Sequence, residues 1–232
     1  MSVESEHATS ELLVLVWDLP TRLFHWSTVA LVFISWLSAD QGFMTVHLIS
    51  GLTLLALLLF RIAWGLVGST TARFTDFLHP PKRVVGYLIS MASDNGTVYA
   101  GHNPAGGLMV SVMITALLAQ VITGLFSNDG LHFNGPLALL ISDDASSRLS
   151  QIHHLIFDVV LFLVWCHVVA IGFYLFVKRH NLVMPMLSGR KPRNHVPSDA
   201  KLKFAGVPLA IFLLFLTASI AAWVMVQGRT LP

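Results

Sequence analysis

The chain has 232 residues, 55% of them hydrophobic and only 11% charged, with a mean hydropathy of +0.72 and a formal net charge of +2. A soluble domain carries roughly a quarter charged residues, so this composition excludes an ordinary water-facing surface and makes a bilayer the expected solvent; nothing in so sparse a charge set suggests a nucleic-acid partner. The single cysteine, Cys166, excludes an intramolecular disulfide, a CxxCH haem attachment, a thiolate-held iron–sulfur cluster and a cysteine-rich zinc site.

In chain order, residues 1–16 form a polar tail carrying Glu4, Glu6 and Glu11. It has no basic region ahead of an apolar core, so it is not expected to be a cleaved secretory signal, and insertion rests on the internal spans. Hydrophobic runs follow at about 19–37, 46–67, 104–126, 152–177 and 207–226. Each is near the length that crosses a hydrocarbon core of about 30 Å, and only helices or closed barrels satisfy the backbone there. No alternating strand pattern is present, so five transmembrane helices are predicted. Within the long connection from Gly68 to Asn103, Pro80, Pro81, Lys82 and Arg83 open a short amphipathic stretch with Val84, Val85, Tyr87, Leu88, Ile89 and Met91, expected to lie in the membrane interface. The connection from Ser127 to Ser150 carries Asp129, Asp143, Asp144 and Arg148 and is mildly acidic.

Twelve of the 14 basic residues fall on one side: Arg22, Arg61, Arg73, Lys82, Arg83, Lys178, Arg179, Arg190, Lys191, Arg193, Lys201 and Lys203. Arg148 and Arg229 fall on the other. The positive-inside rule then predicts a cytoplasmic N-terminus and a periplasmic C-terminus.

Histidine is unusually frequent, 11 against 12 Asp and Glu. Four histidines lie in or at the ends of spans: His25 near the inner start of the first, His47 at the outer start of the second, and His153 and His167 in the fourth. From His153 to His167 the helix turns about 1,400°, within about 40° of four full turns, whereas His154 is about 140° off. His153 and His167 therefore share a face about 21 Å apart, too far to hold one metal. His47 matches the level of His153 and His25 that of His167, giving two His/His pairs at two depths. Paired imidazoles are how a low-spin b haem is held, with no open coordination site. The plainer reading is histidines that hydrogen-bond helices together.

Neighbouring residues fit the first reading. Gly51, four after His47, leaves space beside a ligand. Arg61, fourteen after His47, and Arg22, three before His25, could pair with haem propionates or act as snorkelling anchors. His102, Asn103 and Pro104 open the third span, with Asn103 suited to an N-cap and Pro104 to the first turn; alternatively His102 or Asn103 hydrogen-bonds a propionate or a quinone carbonyl. Gln120 is read as a buried packing residue. Asp158 is an intramembrane acid facing away from the ligand stripe, serving either a proton relay or a helix–helix hydrogen bond. Cys166 reads as a small apolar filler. His7, His79, His132, His180 and His195 fall in tails or loops and are read as solvated.

The run Arg22-Leu23-Phe24-His25-Trp26, His47 with Gly51, and His153 with His167 resembles the bacterial cytochrome b561 family, which includes the b-type cytochrome subunits of NiFe-hydrogenases. The resemblance runs from about Trp17 to Lys178 and takes in 60–81 and 101–107. It implies an all-α integral membrane protein, a four-helix bundle holding two b haems, with His25 and His167 ligating the inner haem and His47 and His153 the outer one. The corresponding division is a tail over 1–16, a di-haem core over 17–178, and a basic inner loop with a fifth transmembrane helix over 179–232.

The function it implies is electron transfer in a bacterial inner membrane between quinone and a periplasmic partner, such as a cytochrome c or a hydrogenase-like protein. An electron-transfer subunit is expected ahead of a stand-alone enzyme. The alternatives are a superoxide:quinone-type oxidoreductase on the same scaffold, which an acidic outer rim disfavours, and a haem-free anchor or transporter.

Overall fold

The computed structural model describes residues 12–90, 98–130 and 133–230; His7, Glu4, Glu6, Glu11, Met91 and His132 lie outside them. Its helices in chain order are α1 (Leu19–Asp40), α2 (Met44–Val67), the one-turn α3 (Phe74–Phe77), α4 (Pro81–Ser90), α5 (Pro104–Leu125), α6 (Asp143–Phe176), the short α7 (Val183–Ser188) and α8 (Val207–Thr230). Five of these, α1, α2, α5, α6 and α8, are long and apolar enough to cross a membrane, and α4 coincides with the amphipathic stretch opened by Pro81. The architecture is the all-α integral membrane one that the composition calls for.

Two elements differ from the sequence reading. α6 begins at Asp143, nine residues before the apolar run, and its 34 residues reach roughly 51 Å, well beyond about 30 Å of hydrocarbon. Asp143 and Asp144 in its first turn favour the helix N-terminus, and the Ser142 hydroxyl accepts from the Ala145 N–H at 3.3 Å. A search for apolar runs does not see this polar extension. Secondly, Leu13–Leu15 (β1) pairs antiparallel with Arg190–Pro192 (β2), with Val14 opposite Lys191. Strands of three residues are too short for an alternation signal.

The chain divides into two compact units. The first comprises Met1–Leu23, Ala63–Ser111 and His167–Val207. Its described part is built around the β1–β2 ribbon, with Val16, Trp17 and Val196 buried at the centre. Asp18 starts α1 by accepting the Thr21 N–H at 2.8 Å, and its other oxygen accepts from the indole of the buried Trp64 at 3.0 Å. Lys191 is buried, and its ammonium donates to the carbonyls of Tyr99, Ala100 and Gly101 at 3.2, 2.9 and 3.4 Å, holding the approach to α5 in place. Burial pushes its pKa down to about 8.

The second unit comprises Phe24–Ile62, Val112–Cys166 and Pro208–Pro232. α1 ends in a tight reversal: Phe43 N–H bonds back to Ser38 and Gly42 N–H to Ala39, with Gly42 at φ +75°. This is the left-handed cap that glycine supplies without a Cβ penalty. It turns the chain so sharply that Ser35 on α1 meets Ser50 on α2, hydroxyl to hydroxyl at 2.6 Å. α2 is buried along Leu52, Leu54, Leu55, Ala56, Leu58 and Phe60, whereas α8 buries, over residues 207–227, the stripe Ala210, Thr217, Ala221 and Val224.

Candidate functional site

Within the second unit, His47 near the start of α2 and His153 on α6 stand with ring centroids 6.1 Å apart and ring planes at 89°. Each is held by a backbone carbonyl. Nδ1 of His47 lies 2.9 Å from the Ser35 carbonyl oxygen, and Nδ1 of His153 lies 2.8 Å from that of Gln120. A carbonyl oxygen only accepts, so both Nδ1 atoms carry the proton and both Nε2 atoms keep a lone pair. On His153 that lone pair receives the Gln120 side-chain amide at a long 3.2 Å. The Thr123 hydroxyl lies 3.3 Å from His153 Nδ1. A ring anchored by Nδ1–H to a carbonyl is held as a metal-ligating histidine is, and on His153 the long Gln120 contact is the one that a metal at Nε2 would replace.

Ser35, His47, Gln120 and His153 border a cavity of about 470 Å³, mostly apolar, reached by Val32, Gly51, Leu117, Gly124 and Phe157. Gly51 has nothing within 4 Å of where a Cβ would stand, so the wall there is open. Gly124 is the reverse case, since a Cβ would sit 2.8 Å from Cε1 and 3.1 Å from Nδ1 of His153. The ring lies against bare backbone. Exposed Asp40 and Asp129 stand among the polar residues of this cavity.

These residues fit a haem. Two metal–imidazole bonds of about 2 Å and two ring half-widths of about 1 Å place the centroids of axial imidazoles about 6 Å apart, which the 6.1 Å separation matches. Among the described residues no three His, Cys, Asp or Glu side chains gather to hold a metal ion; the two imidazoles stand as a pair.

The remaining expected residues fall as follows. His25 lies on α1, its ring edge-on to Trp26 with centroids 5.0 Å apart. His167 is part-buried on α6, on the same helix as His153. Arg61 on α2 is 2% exposed, an expensive place for a guanidinium in a membrane helix. Arg22 donates from Nη1 to the Leu187 carbonyl at the end of α7. His102 is packed between Trp17 and Phe77, with centroids at 4.6 and 5.0 Å. Asn103 caps α5, its Oδ1 accepting the Gly106 N–H at 2.7 Å, while its Nδ2 donates to the Tyr174 hydroxyl at 2.8 Å. Asp158 and His154 are exposed on α6.

Sequence reasoning missed Ser35, Thr123 and Gly124 and gave Gln120 only a packing role. A signal was present for two of them. Gln120 and Gly124 repeat the four-residue spacing of His47 and Gly51, which places a polar group and a bare patch on one helix face. The carbonyl of Ser35 carries no sequence signal, because any residue has one.

A family model described as prokaryotic cytochrome b561 matches residues 16–189. Comparison with curated proteins and with solved structures found no match.

Proposed function

The chain belongs to the prokaryotic cytochrome b561 family, membrane-embedded b-type cytochromes that transfer electrons, and from that premise we propose that it carries two b haems and moves electrons between the quinone pool and a periplasmic redox protein. His47 and His153 would hold one haem, at the outer side. The observation that carries this is their 6.1 Å ring separation beside one cavity, with each Nδ1 tied to a carbonyl so that Nε2 is the nitrogen left to coordinate. The second haem is assigned to His25 and His167 on the fourteen-residue register along α6 and the family's histidine pattern.

The haem supplies one-electron chemistry when bound; the protein supplies its setting. The carbonyls of Ser35 and Gln120 orient the imidazoles and raise their basicity, which lowers the potential of the iron they bind. Gly51 leaves room beside one ligand and Gly124 seats the other. Arg61 and Arg22 are proposed to neutralise propionates of the inner haem. Two histidines holding each haem would leave no open position on the iron, which favours electron transfer over oxygen binding.

In this proposal the N-terminus is cytoplasmic and the C-terminus periplasmic. Quinone meets the chain at the inner face near His102 and Asn103, and a soluble cytochrome c or hydrogenase-like protein docks at the outer face. Residues 17–178 form the di-haem core, and 179–232 add the inner loop and the fifth helix. The acidic Asp40 and Asp129 at the outer cavity would repel superoxide, which favours a protein partner over that anion.

The test is a reduced-minus-oxidised spectrum with a pyridine haemochrome assay on the purified chain. Two six-coordinate, low-spin b haems per chain are expected. A single haem, or a species that binds carbon monoxide in the intact protein, would refute the assignment.

A further inference from the structure

Asp158 is the acid inside the apolar stretch of α6, and it lies outside the residues that border the haem cavity. At about 100° per residue, Ser147, Gln151, His154, Phe162 and Trp165 all fall within about 40° of it, and all of them, with Asp158 itself, are exposed. The stripe is polar down to Asp158 and apolar beyond, where the rings of Phe162 and Trp165 stack with centroids 6.2 Å apart. Asp158 is its deepest polar group. It stands about 7.5 Å further along the helix than His153, and Ser35, whose carbonyl ties the neighbouring His47, is itself about 7.5 Å inside the outer end of α1 at Asp40.

A carboxyl at that depth is costly against lipid and calls for a partner. Among the described residues the Asp158 side chain accepts no hydrogen bond and forms no ion pair. His154, one turn toward the outer end, has its ring 6.2 Å from that of His153 and no acid beside it. A base and an acid four residues apart on one exposed face, not joined to each other, each keep their bonding capacity for a neighbour. The same offset recurs nearer the outer end of α6, where exposed Asp144 falls about 40° and exposed Arg148 about 80° from Asp158.

We infer that this face of α6 is covered by the same face of a second copy of the chain, about a two-fold axis along the membrane normal. Charge complementarity favours a copy over a foreign helix. Every copy inserts with one orientation, so two α6 helices meet parallel and at one level, and each side chain touches its own level and the turns above and below on the facing helix. Asp158 then accepts from the partner's His154, while His154 donates to the partner's Asp158. The two-fold makes this contact twice, as an interface of one patch with itself requires. The His154 N–H groups offset the repulsion between the two level carboxyls. Asp144 and Arg148 repeat the exchange further out, and Phe162 and Trp165 continue the contact where the stripe is apolar.

The experiment is a cysteine scan of the full chain in native membranes. With Cys166→Ser removing the sole native cysteine, Ser147→Cys, Gln151→Cys and Ile152→Cys are oxidised with copper phenanthroline, and dimers are read on non-reducing gels beside the haem content. Ser147→Cys and Gln151→Cys should form chain dimers. Ile152→Cys, at the same depth but about 100° round the helix from Gln151, should not. In the Gln151→Cys background, His154→Asp and Asp158→His should each slow dimer formation about 10-fold, and the two together, which exchange acid and base, should restore it. No dimer from Gln151→Cys, equal dimer from Gln151→Cys and Ile152→Cys, or single variants that cross-link at the parent rate would overturn the inference. So would a double variant that keeps its haem and stays slow, or a cross-link from Gln151→Cys to a different polypeptide in place of a second copy. The three-position scan leaves His154 and Asp158 untouched, so it decides the matter even where the exchanged variants do not fold.

Discussion

Gly124→Ala isolates the contact on which the His153 ring depends. The new methyl would stand 2.8 Å from Cε1 and 3.1 Å from Nδ1 of His153, where carbon atoms settle at about 3.5 Å or more. The ring must retreat by about 0.7 Å. It is held on the same side by the Nδ1 bond to the Gln120 carbonyl at 2.8 Å, and a retreat of that size stretches this bond to about 3.5 Å, beyond a useful hydrogen bond. Overpacking of this kind costs about 1–3 kcal/mol. Taken from the ligand's position, that corresponds to roughly a 5- to 150-fold loss of haem affinity at this site. The imidazole also loses the carbonyl that raises its basicity, so whatever haem remains should show a higher midpoint potential. The near-perpendicular rings predict a strongly anisotropic low-spin ferric signal in the wild type, and tilting one ring should change it. Haem content, a potentiometric titration and low-temperature EPR read the three effects. A Gly124→Ala protein with full haem, an unchanged potential and an unchanged EPR signal would refute the ligand geometry.

Other substitutions test separate parts of the account. His153→Ala should lose one haem, whereas His154→Ala, an exposed neighbour pointing about 100° away, should keep both; pyridine haemochrome counts distinguish them. Reporter fusions after Ser188 and at the C-terminus should give cytoplasmic and periplasmic signals respectively, and matching signals would rule out a membrane crossing by α8. His195, whose ring lies 4.5 Å from that of His180, has its pKa lowered by burial and then by His180 and Lys191. The folded chain thus binds fewer protons there than the unfolded chain, and the local structure should weaken as pH falls through 6.5. Hydrogen exchange over 190–196, corrected for its intrinsic pH dependence, should quicken on acidification in the wild type and respond less in His195→Asn.

Much of this protein is legible in its sequence because a bilayer leaves few choices. Backbone groups without water must close into helices, so the five apolar runs become α1, α2, α5, α6 and α8. Pro104 and Asn103 open α5 and Pro81 opens α4 because the residues themselves carry the necessary geometry. The register of His153 with His167 is likewise arithmetic, since an α-helix has one pitch. Tertiary structure alone decided what depends on groups every residue possesses or on short, weak signals. The carbonyls of Ser35 and Gln120 become imidazole anchors only because the Gly42 reversal and the crossing of α5 with α6 bring them to the right nitrogen. Gly124 gains its meaning from the ring laid against it. β1 and β2 have three residues each and pair across the length of the chain. Tyr87, Tyr174 and Asn103, far apart in sequence, become a row of hydrogen bonds only where their helices meet, for local pattern encodes which face a residue occupies and not which distant hydroxyl it will find.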